Sequence, residues 1–359
     1  LATSTITGCS RAMSNTQTIV IDPLPQQYTV SGGGAYCAGG TGVTVSLSSS
    51  NSGVSYQLYN GPDPVGTALA GDGTPLTFEP QTDAGIYKIM ATDNITSCGR
   101  YMSGSATVVV NALPLEYTVG GGGSYCSGGS GVDVTLQSSN IGISYQLYRG
   151  GVLMGAPVAG TGGDISFGLQ TIAGTYSVLA TNDVTGCTMA MTGNTSVNIL
   201  DLPVSFTVGG GGSLCNGAAG VSVTLSGTEG GMEYQLYNGT VAVGAAIEGA
   251  GDPLDMGAQT EAGNYRILAT NPLTGCTKWM DGSANVIVNA LPVAKAVNGG
   301  GSYCATGTGV AVGLAGSQSG VSYQLYNGST ATGTAVAGSG SAITFGMQTA
   351  AGSYSVRAT

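Results

Sequence analysis

Val54-Ser55-Tyr56-Gln57-Leu58-Tyr59 alternates apolar and polar side chains with period two, the pattern of a half-buried strand. Its last three residues recur as Gln146-Leu147-Tyr148, Gln235-Leu236-Tyr237 and Gln324-Leu325-Tyr326, each 89 residues after the last. The cysteines keep the same step in two series: Cys9, Cys98, Cys187, Cys276 and Cys37, Cys126, Cys215, Cys304. A repeat held in strict register decides architecture before any local reading does. It also bears on function. A chemistry used once per chain has no reason to be copied in phase, whereas a stalk or an adhesive surface has.

The same alternation appears on both sides of that stretch. Tyr28-Thr29-Val30 reads as a short first strand. Val43, Val45 and Leu47 alternate with Thr44, Ser46 and Ser48, as Val132, Val134 and Leu136 do one repeat later. Leu76 with Phe78, then Tyr87, Ile89 and Ala91, then Val108 and Val110 mark three more strands. No segment has a helical period, and Gly, Asn and Asp cluster between the strands as turns require. The triplet Gly32-Gly33-Gly34, present in all four copies, reads as a bend; a phosphate loop would need a following helix and a lysine. About seven short strands in 89 residues predict an all-β fold, a tandem array of antiparallel β-sandwiches. Each unit is long enough to bury its own core.

The repeat divides the chain into residues 1–22, the last strand of a preceding or complemented repeat; then 23–111, 112–200 and 201–289; then 290–359, a repeat lacking its last strand. Four periods and three further residues make up the 359, so the chain ends in the phase in which it starts, and it reads as a window onto a longer array. Leu24-Pro25, repeated as Leu113-Pro114, Leu202-Pro203 and Leu291-Pro292, predicts short, semi-rigid junctions.

Only 7% of residues are charged and the net charge is −10, which excludes the basic stripe of a nucleic-acid binder. No apolar run approaches the ~20 residues of a membrane helix. With no histidine in the sequence, Ser-His or Cys-His catalysis and His-ligated metals are excluded. Carboxylates drift out of register: Asp72 becomes Thr161, Ala250 and Ser339, and Asp93 becomes Asn182 and Asn271. A calcium site repeated along the array is therefore not expected, and neither a cofactor nor an enzymatic centre is. The outward tyrosines Tyr59, Tyr148, Tyr237 and Tyr326 are the candidate ligand contacts, able to stack on sugar rings beside Gln57 and Asn60, or simply to pack across strands. Trp279, placed opposite Arg100 and Ala190, is read as no feature of the array. Eight cysteines at fixed phase point to disulfides and an oxidising, extracytoplasmic setting.

Asp83-Ala84-Gly85-Ile86-Tyr87 resembles the D-A-G-x-Y stretch that opens strand F of immunoglobulin domains, and the other copies read Ala173-Gly174-Thr175-Tyr176, Ala262-Gly263-Asn264-Tyr265 and Ala351-Gly352-Ser353-Tyr354. Tyr87 would then be a tyrosine-corner residue, its hydroxyl bonded to backbone upstream. The strand-F cysteine is replaced by Ile89 and the strand-C tryptophan by Tyr56, so the resemblance is to an Ig-like sandwich and not to an antibody-type domain. Cys37 before a Gly-rich turn and a V-x-V-x-L strand, followed by A-G-x-Y and T-G-C as in Ala173 to Cys187, resembles the Ig-like and PKD-like repeats of giant secreted surface proteins of Bacteroidota. That resemblance implies an extracellular, surface-attached, often adhesive protein.

It also implies a disulfide within each repeat, Cys37–Cys98, Cys126–Cys187 and Cys215–Cys276. Closing such a ~61-residue loop would be worth roughly 4 kcal/mol. Geometry is less favourable. In an Ig topology these cysteines lie at opposite poles, ~20 Å apart, and a disulfide tolerates at most ~7 Å between Cα atoms. Either a Gly-rich segment folds back, or the bond crosses a junction as Cys37–Cys187. Three functions follow as expectations: a semi-rigid extracellular spacer partnered by neighbouring repeats or copies of itself, a multivalent array for surface glycans, or a filament subunit whose Ser14–Ile21 strand completes the next copy. An accessory region of a larger extracellular enzyme is a further reading.

Overall fold

The structure is a computed structural model describing residues 1–359, and every regular element in it is a β-strand. In the first repeat these are β1 (Val30–Gly32), β2 (Gly34–Cys37), β3 (Val45–Leu47), β4 (Val54–Asn60), β5 (Asp63–Ala70), β6 (Leu76–Thr77), β7 (Gly85–Asp93), β8 (Gly99–Tyr101) and β9 (Ala106–Asn111). One sheet runs β1-β3-β6 and the other β2-β9-β7-β4-β5, with β8 beside β7 ahead of β9. This grouping is that of an immunoglobulin-like sandwich. The alternation of β4 turns Val54, Tyr56 and Leu58 inward, where they meet Tyr87, Ile89 and Ala91 of β7 and Val45 and Leu47 of the facing sheet. Burying one such aliphatic side chain contributes roughly 1.5–3 kcal/mol. Ile89 and Tyr56 are fully buried, so packing holds the sheets together where an antibody domain has a disulfide and a tryptophan.

The glycine triplet is the expected bend, and it has a consequence that alternation alone does not show. It lets the chain leave one sheet after β1 and enter the other as β2, which pairs in parallel with β9 from Gly34↔Val108 to Cys37↔Asn111. Gly33 has φ +76°, and a Cβ there would stand 2.5 Å from the Thr107 carbonyl oxygen. The Tyr87 hydroxyl donates to the Asp83 carbonyl at 2.8 Å, and Tyr176, Tyr265 and Tyr354 do the same to Ile172, Glu261 and Ala350. The tyrosine corner is thus present in all four copies.

Residues 112–200 and 201–289 carry the same nine strands in the same order, and every sheet draws its strands from a single repeat. The chain forms two compact units, Leu1–Ile199 and Leu200–Thr359. The first holds the leading segment and repeats one and two; the second holds repeats three and four. Ahead of repeat one, Ala2–Thr3 pairs with Ser10–Arg11 as a short hairpin. Ser14–Ile21, expected as a strand, forms none and is exposed throughout. In repeat four the counterpart of β2, residues 301–304, is likewise not a strand.

Candidate functional site

The recurring Gln-Leu-Tyr is first of all a structural device. β4 and β5 form a hairpin whose register shifts between Tyr56 and Leu58, leaving a bulge in the edge strand β5. Gln57 faces that bulge. Its side-chain amide donates to the carbonyls of Leu58 and Val65, each at 2.9 Å. Gln146, Gln235 and Gln324 make the same pair of bonds to Leu147 and Met154, Leu236 and Val243, and Leu325 and Thr332. A bulge leaves carbonyls without ladder partners, and a glutamine amide supplies two donors on a stem long enough to reach them. The Asn60 amide is also engaged, donating to Ala84. Both side-chain amides already donate within the fold.

Tyr56, Tyr145, Tyr234 and Tyr323 point the other way, into the core. Each hydroxyl accepts from a backbone N–H five residues upstream, at 2.8–2.9 Å. Burial pushes the phenols of Tyr56, Tyr145 and Tyr234 above their usual range, as it does those of Tyr87, Tyr176 and Tyr265. These rings stay neutral as a result.

Tyr59, Tyr148, Tyr237 and Tyr326 lie on the outer face, half-buried. Two have aromatic neighbours: Tyr59 meets Tyr101 edge-on at 6.3 Å, and Tyr237 meets Trp279 edge-on at 5.2 Å. Trp279 is therefore in phase with Tyr101 and not with Arg100, so the aromatic pair recurs in repeats one and three. Repeat two has Ala190 at that position. The Arg266 guanidinium lies 4.4 Å over the Trp279 ring and covers one of its faces. Cross-strand packing accounts for these contacts.

Turn chemistry explains the drift at the Asp93 position, and at the Asp72 position in every copy but repeat three, which has Ala250. One Asp93 carboxylate oxygen accepts from the N–H groups of Ile95 and Thr96, and Asn182 and Asn271 accept from the matching pairs with their amide oxygens. Asp72 accepts from the Thr74 N–H and hydroxyl, and Thr161 and Ser339 hold the same turn through their hydroxyls. An Asx or hydroxyl turn needs an oxygen, not a charge. These bonds hold both carboxyls below the usual range, chiefly the Thr74 side chain for Asp72 and the Thr96 N–H for Asp93. No three His, Cys, Asp or Glu side chains gather into one cluster.

Cysteine placement overturns the pairing within repeats. Cys37 is bonded to Cys187, with Cα atoms 5.6 Å apart, while Cys98 and Cys215 are free thiols, as are Cys9 and Cys304. The reason lies in β7 and β9. Cys37 sits opposite Asn111, past the Gly85 end of β7, whereas Cys98 follows Asp93 at the other end. Nine strand residues separate the two by ~27 Å, far beyond a disulfide's reach. In repeat two, Cys187 precedes the strand Thr188–Ala190 at the pole where the chain arrives, since Thr118 bridges Thr192 in parallel. The bond thus ties the pole where the chain leaves repeat one to the pole where it reaches repeat two, alongside the Leu113-Pro114 linker, whose proline is buried. Closing this 150-residue loop restricts the unfolded chain by roughly 5 kcal/mol. Cys126 and Cys276 are also disulfide-bonded.

A groove of about 360 Å³ is lined in repeat four by Gly301, Tyr303, Val312, Gln348, Gly352 and Tyr354. It is the place that β9 fills in repeat one.

No protein-family profile matches the chain, and no curated protein matches it. Among solved structures it is similar to the three N-terminal domains of the bacteriophage RB49 highly immunogenic outer capsid protein, at 15% identity and TM-score 0.29, over 73% of this chain and 99% of that one. Immunoglobulin domains 1–5 of Sidekick-1 align at 13% identity and TM-score 0.25, over 92% and 78%. The full ectodomain of mouse nectin-like molecule 4 aligns at 12% identity and TM-score 0.29, over 74% and 96%. No function follows from likeness this distant.

Proposed function

We propose that the chain is a spacer: a semi-rigid stretch of Ig-like repeats within an extracellular, cell-surface fibre or adhesin stalk, with no catalytic role. The disulfide between Cys37 and Cys187 carries this reading. A bond that crosses from one repeat to the next does not make either sandwich fold; it fixes how one follows the other. The linker and the disulfide together make two covalent ties, and two ties resist hinge motion that a lone linker permits. Disulfides fit an oxidising compartment outside the cytoplasm. The repeats' resemblance to giant secreted surface proteins of Bacteroidota agrees with that placement and with an adhesive parent protein.

The test is the spread of distances between repeats one and two, read by dipolar spectroscopy from spin labels on click-reactive residues at the exposed Thr67 and Ala156. The native chain is expected to give a narrow distribution, and Cys37→Ser/Cys187→Ser one at least twofold broader. Equal breadth in the two proteins would remove the spacer reading. A glycan-binding array is disfavoured by the internal bonding of Gln57 and Asn60, and binding abolished by Tyr148→Ala on a glycan array would restore it.

A further inference from the structure

In each repeat of the first unit, the first and last strands run side by side in the same direction. Thr29 bridges Ser103 in parallel, and β2 then lies parallel to β9. In repeat two Thr118 bridges Thr192, and Gly123–Cys126 lies beside Thr195–Leu200. Both strands therefore travel from the pole where the chain arrives to the pole where it leaves. Cys37 ends the first such strand of repeat one, and Cys187 begins the last such segment of repeat two.

The disulfide joins these two segments end to end and in the same direction. A covalent path now leads from Leu24 to Cys37, across the sulfurs, and from Cys187 to Ile199. It contains 14 residues on one side and 13 on the other, against 176 along the backbone from Leu24 to Ile199. Residues 38–186, which include β3 to β7 and their counterparts Val132–Leu136 to Gly174–Asn182, lie off it. The path has little slack, because Val30–Gly32, Gly34–Cys37, Thr188–Ala190 and most of the last segment are already extended strand. Fully stretched, its 27 residues reach roughly 95 Å, whereas 176 residues reach roughly 600 Å.

We propose that the Cys37–Cys187 bond is a length stop. Tension applied along the array is carried by the first strand of one repeat and the last of the next, and the loss of either core adds almost nothing to the length. An array without this bond lengthens severalfold when a repeat gives way. The geometry of the path is independent of the function proposed above; its use under tension rests on that reading.

Force spectroscopy on the full chain tests it, with handles on click-reactive residues at the exposed Gln26 and Asn198. Under non-reducing conditions the length gained between the handles on complete unfolding should be at least fivefold smaller in the native chain than in Cys37→Ser/Cys187→Ser. Should that variant fold poorly, the native chain pulled before and after a dithiol reductant gives the same comparison. A native, oxidised chain that lengthens by as much as the variant overturns the proposal. Because the label distances above report stiffness and the handles report length, a stiff array that nevertheless extends would refute the length stop alone, and a loose one that does not extend would refute the spacer alone.

Discussion

Replacing Gln146 by Leu removes an amide and keeps the bulk of the side chain. In the native protein that amide donates to Leu147 and Met154 at 2.9 and 3.1 Å, with a longer contact of 3.4 Å to Gly155. Two good hydrogen bonds at ~1 kcal/mol each set an upper figure of about 2 kcal/mol. The Gly155 carbonyl lies on an exposed edge where water can replace the donor, so the expected loss is about 1–2 kcal/mol. It should fall on the edge strand Val152–Ala159 and not on the core, because Tyr145 and Leu147 face inward and keep their packing. Native-state hydrogen exchange read by mass spectrometry measures this locally. Amides of residues 152–159 should exchange about 5- to 30-fold faster, while 63–70, 241–248 and 330–337 in the same molecule serve as unaltered controls. Gln146→Glu should behave alike, since a carboxylate donates nothing. Exchange in 152–159 within twofold of native would refute the bulge-bonding role, and so would uniform acceleration across repeat two.

Three other outcomes follow from particular contacts. Gly33→Ala should destabilise repeat one by roughly 3 kcal/mol or more, because the position combines φ +76° with a Cβ site 2.5 Å from Thr107 oxygen, whereas Gly34→Ala, with nothing near its Cβ site, should cost less in the same denaturant titration. Asp72 and Asp93 titrate below the ordinary 3.8, so their turns should be fully held above that value and loosen as pH falls through the lowered one; amide shifts of Thr74 and Thr96 should report this, and those of Gly163 and Thr185, held by Thr161 and Asn182, should not. At the alkaline end the buried phenols have raised values. The fold should keep its full stability below pH ~10 and lose it as pH rises further and the unfolded chain ionises first, a transition that ultraviolet absorbance of tyrosinate and circular dichroism should show together.

Much of the fold could be read from residue order because the relevant signal was local. Alternation in Val54–Tyr59 and in Tyr87–Ala91 placed two central strands and the residues they bury, and the period gave the array. Three strands escaped, among them the three-residue β8, Gly99–Tyr101. β5 is an edge strand broken by a bulge between Val65 and Leu69, so Asp63-Pro64-Val65-Gly66-Thr67 carries no alternation, and Gly34-Ala35-Tyr36-Cys37 was hidden behind the glycines that turn it into the second sheet. The role of Gln57 was not legible, since the bulge it bonds is on another strand. Nor was the choice of disulfide partner: phase sorts the cysteines into two series and says nothing about which copies join. Pole-to-pole distance did carry that information, through the length of β7, and it outweighed the pairing implied by family resemblance.

The tie between repeats is the claim on which the spacer and the length stop both depend, and non-reducing tryptic mapping tests it most directly. Cleavage after Arg11, Lys88, Arg100, Arg149 and Arg266 puts Cys37 in 12–88, Cys98 in 89–100 and Cys187 in 150–266. The expected product is 12–88 linked to 150–266, with fragmentation placing the bond at Cys187. Recovery of 12–88 linked to 89–100 would return the disulfide to the interior of one repeat and contradict the account.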